Sequence, residues 1–269
     1  MNLKKISIIS FFFILVFALI TVLSLKKMTG YQFSKIPKET IYNLSSKYLI
    51  SSEMIEYLKN KKIDVNLPTK QLIEIYWVER IKEGGLILLF RHSERAKWNN
   101  SVEGFDMYEF KNNLNPRDLK WGMATCLTNK GIEVSRLVRE SFKYAKIKIS
   151  KVISSPSCRA KETASLAFGK YDIIHHGLLH YTAINYRDRK KIGKILKDFI
   201  LSQEVKQNEN IILSAHNRVI SHEGFIDKMY TTENLFETGF FIIEKKNNQL
   251  TVPFKFEKIK DFLILLYRY

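Results

Sequence analysis

Between Gly84 and Glu244 the chain alternates short apolar runs with longer amphipathic ones, and this alternation restricts it to a layered α/β fold. Leu86–Phe90, Lys151–Ser154 and Ile211–Leu213 are too short for helices and lack a regular polar face, as strands buried on both sides of a sheet require. Thr128–Ala145 and Tyr186–Val205 lie between them and read as helices. In the second, Ile192, Ile195, Leu196, Phe199 and Ile200 form one apolar stripe, while Lys190, Lys194 and Lys197 mostly face water. The pattern predicts a mostly parallel central sheet flanked by helices on both faces. Near the end, Gly239–Glu244 and Leu250–Phe254 flank Asn247-Asn248, which predicts a hairpin.

The N-terminus is a different material. Ile6–Leu25 holds no charge and no proline over about 20 residues, which at a helical rise spans roughly 30 Å, the hydrocarbon thickness of a bilayer. Lys4 and Lys5 precede it; Lys26 and Lys27 follow. The run is longer than the apolar core of a cleavable signal peptide and no small-x-small site follows it. Residues 1–30 therefore read as an uncleaved signal anchor, a transmembrane helix, with cleavage the alternative. A short tail ahead of a first hydrophobic segment stays cytoplasmic. The chain is thus expected to be a single-pass membrane protein with its folded domain on the extracytoplasmic (periplasmic or extracellular) side. Residues 31–83 form a helical lead-in punctuated by Pro37 and Pro68. There Leu72, Ile73, Tyr76, Trp77 and Arg80 recur at helical spacing, and the pattern stops at Gly84-Gly85. The α/β domain runs from 84 to 269.

A hydrophobic content of 45% with 26% charged residues excludes a disordered chain, and two cysteines exclude a disulfide scaffold. The formal net charge of +17 admits three partners: a nucleic acid, an anionic membrane surface or a phosphorylated substrate. The basic excess is spread along the chain without an aromatic–basic recognition motif, so no nucleic-acid partner is expected.

Functional groups in open α/β sheets gather beyond the carboxyl ends of the strands. Each of the three buried strands here ends in cationic or imidazole side chains: Phe90-Arg91-His92-Ser93-Glu94-Arg95, Ser154-Ser155-Pro156-Ser157-Cys158-Arg159, and Ser214-Ala215-His216-Asn217. Converging, these ends surround one small pocket with three arginines and two imidazoles. Arginine forks match phosphate oxygens bidentately, and a neutral imidazole among them can attack phosphorus.

Four segments in order carry a resemblance to a known family. Arg91-His92-Ser93-Glu94-Arg95 resembles an Arg-His-Gly-x-Arg signature, and Leu127-Thr128-Asn129-Lys130-Gly131 a Leu-Thr-x-x-Gly helix start. Ser154–Ala164 is similar to Ser-Ser-Pro-x-x-Arg-Ala-x-x-Thr-Ala, and Ser214-Ala215-His216-Asn217 to a second histidine motif. Together they resemble the histidine phosphatase superfamily, with its phosphoglycerate mutase-like fold, over about Gly84–Glu244. The resemblance implies a phosphatase that hydrolyses a phosphomonoester through a phosphohistidine on His92. Arg91, Arg95, Arg159 and His216 would bind the phosphoryl group and offset its charge, with a phosphorylated small molecule or glycan as substrate. It implies no metal or other cofactor, and the chain shows no metal-ligand spacing. His175-His176 and His180 lack a nearby Cys or carboxylate framework.

The general acid is left open by the sequence. Asn217 stands where some family members carry Asp, and the candidates are Asp172 and Glu237, with His180 and Glu94 beside them. Ser93 in place of Gly is a second departure. The two together leave as alternative an inactive homologue that binds a phosphorylated glycan, lipid or protein. Cys126 and Cys158 are either a disulfide bracing the Arg159 loop, given an oxidising compartment, or two buried thiols. Specificity is expected from the Ala96–Met123 insertion and from His175–Tyr186. The insertion's Trp98, Phe105, Tyr108, Phe110 and Trp121 suit either sugar stacking or loop packing.

Overall fold

A computed structural model describes residues 50–96, 125–180 and 189–269. The apolar run 6–25, most of the Ala96–Met123 insertion and the first residues of the 186–205 helix lie outside the described residues. Among the described residues no helix is long and apolar enough to cross a membrane.

The part of the 31–83 lead-in described here, from Ile50, is two helices. Helix α1 (Ser52–Asn60) starts at Ser51, whose Oγ accepts the Met54 N–H. Helix α2 (Thr69–Glu83) follows Pro68 and ends at Gly84, where φ is +91°. A Cβ there would lie 2.4 Å from the Glu209 amide nitrogen, so glycine is required twice over. Both helices pack into the main core through Leu58, Ile75, Trp77, Val78 and Ile81.

The rest builds a seven-stranded mixed sheet. Strands β1 (Ile87–Arg91), β2 (Ile149–Ser154), β3 (Ile173–Ile174), β4 (Asn210–Ala215), β5 (Lys228–Met229), β6 (Phe240–Lys246) and β7 (Gln249–Phe256) lie in the order β3-β2-β4-β1-β6-β7-β5. The half carrying β3, β2, β4 and β1 is parallel. Strands β6 and β7 join antiparallel, with β5 parallel at the far edge. Three predicted strands match β1, β2 and β4 within two residues at each end, and the Thr128–Ala145 helix is α3 (Asn129–Tyr144), capped by Thr128. The predicted hairpin is β6–β7. Its turn residues Asn247 and Asn248 have φ of +50° and +59°, the left-handed pair that a two-residue hairpin needs. The alternation of apolar and polar residues does not anticipate β3 and β5, two residues each, or the last helix, α6 (Ile259–Arg268). Strands so short are defined by their neighbours rather than by a period of their own.

Because successive strand residues point to opposite faces, the sheet buries two cores. Leu88, Phe90, Val152, Ile212, Phe240 and Ile242 face α1, α2, α3, α4 (Cys158–Phe168) and α6. Ile87, Leu89, Ile153, Ile211, Leu213 and Phe241 face the other way, toward Leu196 and Ile200 of α5 (Arg189–Ser202). Phe90 centres the first core, stacked on Phe240 at 4.5 Å and edge-on to Phe168 at 5.1 Å. Helices therefore cover both faces of the sheet.

Cys126 and Cys158 are joined in a disulfide across 32 residues of sequence. Bonded to each other, they offer no thiolate to the nearby Glu162 for holding a metal. A crosslink closing a loop of this size contributes about 3–4 kcal/mol in the chain-entropy account. Replacing both cysteines by serine is expected to lower the unfolding free energy by about that amount, measured by urea denaturation of the oxidised protein. Addition of reductant should shift the wild type alike and leave the variant unmoved; a midpoint insensitive to both would contradict the crosslink's role.

Candidate active site

The site is set by register. Strands β2, β4 and β1 are adjacent and parallel, pairing Ser154 with Ser214, Phe90 with Ser214 and Arg91 with Ala215. Their carboxyl ends therefore finish side by side. The His92 N–H donates to the Ala215 carbonyl and the Ser155 N–H to the Ser214 carbonyl, which carries the ladder one residue into the loops. His92 and His216 are 3% and 1% exposed, their ring centres 5.2 Å apart. Arg159, 2% exposed, enters from the first turn of α4, so its charge and the positive end of that helix act on the same space.

The hydrogen bonds of His92 settle its tautomer. Its Nδ1 lies 2.8 Å from the Ser93 carbonyl oxygen, which can only accept, so Nδ1 carries the hydrogen and Nε2 keeps its lone pair. Burial pushes the His92 pKa well below its usual value, and the charge of Arg159 pushes the same way. Burial and Arg159 likewise hold His216 neutral, with smaller contributions from His92, His180 and Arg91. The His216 Nε2 sits 3.1 Å from both Ser155 Oγ and Ser157 Oγ. Ser157 is the N-cap of α4 yet makes no side-chain cap bond; its hydroxyl serves His216 instead. The His216 Nδ1 and Arg91 Nε are buried with no hydrogen-bond partner among the described residues, as expected of groups built for a ligand.

Arg91 closes one side. Its Nη1 donates to the Leu235 carbonyl at 2.6 Å, and its Nη2 lies 3.8 Å from Glu237. The Leu235 N–H donates to Asn217 Oδ1. Asn217, where a proton donor was sought, instead ties the 235–238 loop to the end of β4. Lys255 anchors the same loop from below, donating to Thr232 Oγ1 and the Asn234 carbonyl at 2.7 Å. Arg95 adds to the positive field at His92 and is partly exposed.

Ser93 has a use that the sequence does not reveal. Fully buried, its N–H donates to Thr163 Oγ1, and its Oγ lies 2.7 Å from Ser135 Oγ and 3.3 Å from Thr238 Oγ1. The hydroxyl thus joins α3 and the 235–238 loop, while the amide joins α4. Thr238 holds φ at +66°, a strained value for a β-branched residue, while its N–H donates to the His92 carbonyl. Gly131 explains the Leu-Thr-x-x-Gly spacing, because a Cβ there would lie 2.1 Å from the Glu94 carbonyl oxygen.

The structure thus brings together Arg91, His92, Arg159 and His216, with Glu237 beside Arg91. It does not bring Asp172 to this group. The Asp172 carboxylate accepts the Val152 N–H at 2.8 Å, short of the strand's end, and pairs with Lys170. Burial raises its pKa, but Lys170 and that N–H outweigh burial and hold it low. Glu94 is engaged by Lys130 and Thr128 at the surface. His175 stacks on Phe199 and caps the Gly177 N–H, whereas the ring of His180 meets His216 edge-on at 5.8 Å. Ser155, Ser157 and Thr163 fall within the Ser154–Ala164 segment, whose pattern shows no role for them; nothing in the sequence marks Ser135 or Thr238.

No family model and no curated relative matches the chain. Among solved structures it is similar to the protein histidine phosphatase SixA complexed with tungstate, at 15% identity and a TM-score of 0.44, over 64% of this chain and 96% of that one. It is similar also to phosphoserine phosphatase from Entamoeba histolytica in complex with 3-phosphoglyceric acid, at 14% identity and a TM-score of 0.40, over 66% and 98%. A third is the alpha-ribazole phosphatase from Shigella flexneri, at 15% identity and a TM-score of 0.39, over 62% and 94%.

Two buried neutral histidines make the fold sensitive to acid. Unfolding returns each to a pKa near 6.5, so below that value the unfolded chain binds protons that the folded one refuses. Stability is therefore expected to fall as pH drops below about 6.5. His216→Asn should flatten that slope, measured by urea midpoints between pH 7.5 and 5 (a range of about two units around the histidine pKa). A slope unchanged in the variant would contradict the assignment.

Proposed function

We propose that the protein is a phosphatase that hydrolyses a phosphomonoester through a phosphohistidine on His92. The observation that carries this reading is the state of His92: buried, uncharged, with its Nδ1 hydrogen fixed on a carbonyl and its Nε2 lone pair available among arginines. Such a nitrogen is a nucleophile, and the arginines are preorganised for an anionic, in-line transfer. Arg91, Arg95 and Arg159 grip the phosphoryl oxygens; His216, its Nε2 held by two serines, presents Nδ1 to the same group. A phosphorylated small molecule or glycan is the substrate class, and the chemistry calls for no cofactor. We further propose that residues 1–30 anchor the chain in a membrane with the domain on the oxidising, extracytoplasmic side. The Cys126–Cys158 disulfide supports that placement.

The test is turnover of p-nitrophenyl phosphate by the full-length protein in detergent. His92→Ala should reduce turnover to background, and Arg159→Ala should lower kcat by about 10²–10³-fold. Rapid quench of the wild type should trap phosphate in acid-labile, base-stable linkage, absent from His92→Ala. Binding of inorganic phosphate by calorimetry without turnover would instead favour the non-catalytic, ligand-binding reading. For the anchor, the full chain is expected in the detergent-soluble, carbonate-resistant membrane fraction, with both cysteines unreactive until reduced. Release by carbonate would rule the anchor out.

A further inference from the structure

We infer that His180 is the proton donor to the leaving oxygen, an assignment that rests on the phosphatase reading above. An in-line transfer puts the leaving oxygen on the side of phosphorus away from the attacking nitrogen. His92 and His216 lie on the buried floor, so the donor belongs at the rim. His180 stands there. It is partly buried, and it follows Leu178, 0% exposed in the second core, and Leu179, 5% exposed. The His175 N–H donates to the Ser154 carbonyl at the end of β2, and the short 3₁₀ turn His176–Leu178 then leads to His180. The His180 ring meets His216 at 5.8 Å, at 88° between planes. One imidazole, His216, thus touches both the nucleophile's ring and the rim histidine.

The carboxylates near the motifs are otherwise engaged. Asp172 holds the Val152 N–H and Lys170, Glu94 holds Lys130, and Glu237 lies against Arg91. The amide of Asn217 holds the Leu235 N–H. His180 places an imidazole, which can carry and release a proton, edge-on against His216.

The steps balance. The Nε2 lone pair of His92 forms the N–P bond as the P–O bond to the leaving group breaks. The pair from that bond stays on oxygen, which takes a proton from the His180 imidazolium and departs as the alcohol. Neutral His180 then accepts a proton from the water that attacks phosphorus. The N–P pair returns to His92, inorganic phosphate leaves and His180 is again charged.

The experiment compares two esters with full-length wild type, His180→Ala and His180→Gln: p-nitrophenyl phosphate, whose leaving group needs little protonation, and a simple alkyl phosphate, whose leaving group needs it fully. Inorganic phosphate affinity reports that each variant is folded with its floor intact. Loss of the donor should lower kcat on the alkyl ester by about 10²–10⁴-fold and the first turnover of the aryl ester far less. A burst of nitrophenol should also appear in both variants, because the same residue is needed to activate water. Equal losses on the two esters, or none, would overturn the assignment. A selective alkyl loss in Glu237→Gln but not in His180→Ala would overturn it in favour of the carboxylate. Wild-type protein that turns over neither ester overturns the phosphatase reading itself, and this assignment with it.

Discussion

Two imidazoles kept uncharged in the interior beside guanidinium groups are the condition on which the site depends. Burial alone disfavours the imidazolium, and each neighbouring arginine disfavours it further, so both effects act in one direction on His92 and His216. The arrangement gathers arginine charge around the two rings, with the Glu237 carboxylate 3.8 Å from Arg91. Arg91 is itself pushed down by burial and by Arg159, and only Glu237 opposes this. A dianion offsets all of these terms together, whereas a neutral ligand offsets none. The electrostatics that keep the two imidazoles neutral are therefore the same ones that favour an anion beside them.

That condition is enforced from behind the pocket. Ser93 connects the loop of His92 to α3 through Ser135 and to α4 through Thr163, while Gly131 lets the start of α3 come against the Glu94 carbonyl. Cys126 and Cys158 then tie the segment entering α3 to the first residue of α4, next to Arg159. Helix packing, the hydroxyl network and the crosslink all converge on three residues of backbone around His92. A small displacement of either helix would reach His92 directly, because close-packed interiors transmit shifts rather than absorb them.

Legibility in the sequence followed how local the cause was. Strands β1, β2 and β4 are central, buried on both faces and continuously apolar, so their composition reveals them; their ends brought Arg91, His92, Arg159 and His216 into view. The Asn247-Asn248 turn was visible because few residues tolerate positive φ in succession. Strand β3 and strand β5 exist through pairing with β2 and β7, and α6 is short and apolar enough to pass for a strand. Asp172 looked as good a carboxyl as Glu237 until the Val152 amide engaged it. Ser93 looked like a departure from a glycine, yet its hydroxyl joins Ser135 and Thr238, which lie 42 and 145 residues away in sequence. Contacts of that span have no period or spacing to be read.

The division between floor and rim has a further consequence. The floor is made by strand ends and the first turn of a helix, elements held by ladder hydrogen bonds and two cores. The rim is made by loops, and two groups at strand ends hold one of them: Asn217 accepts the Leu235 N–H and Arg91 donates to the Leu235 carbonyl. Those two bonds fix the 235–238 loop to β4 and β1 together, and Lys255 holds its other end. Asn217 is suited to this task because an amide oxygen accepts a backbone N–H without bringing a negative charge beside the arginines. A carboxylate at the same place would accept that N–H too, but its charge would offset the field of Arg91 and Arg159 at the end of β4.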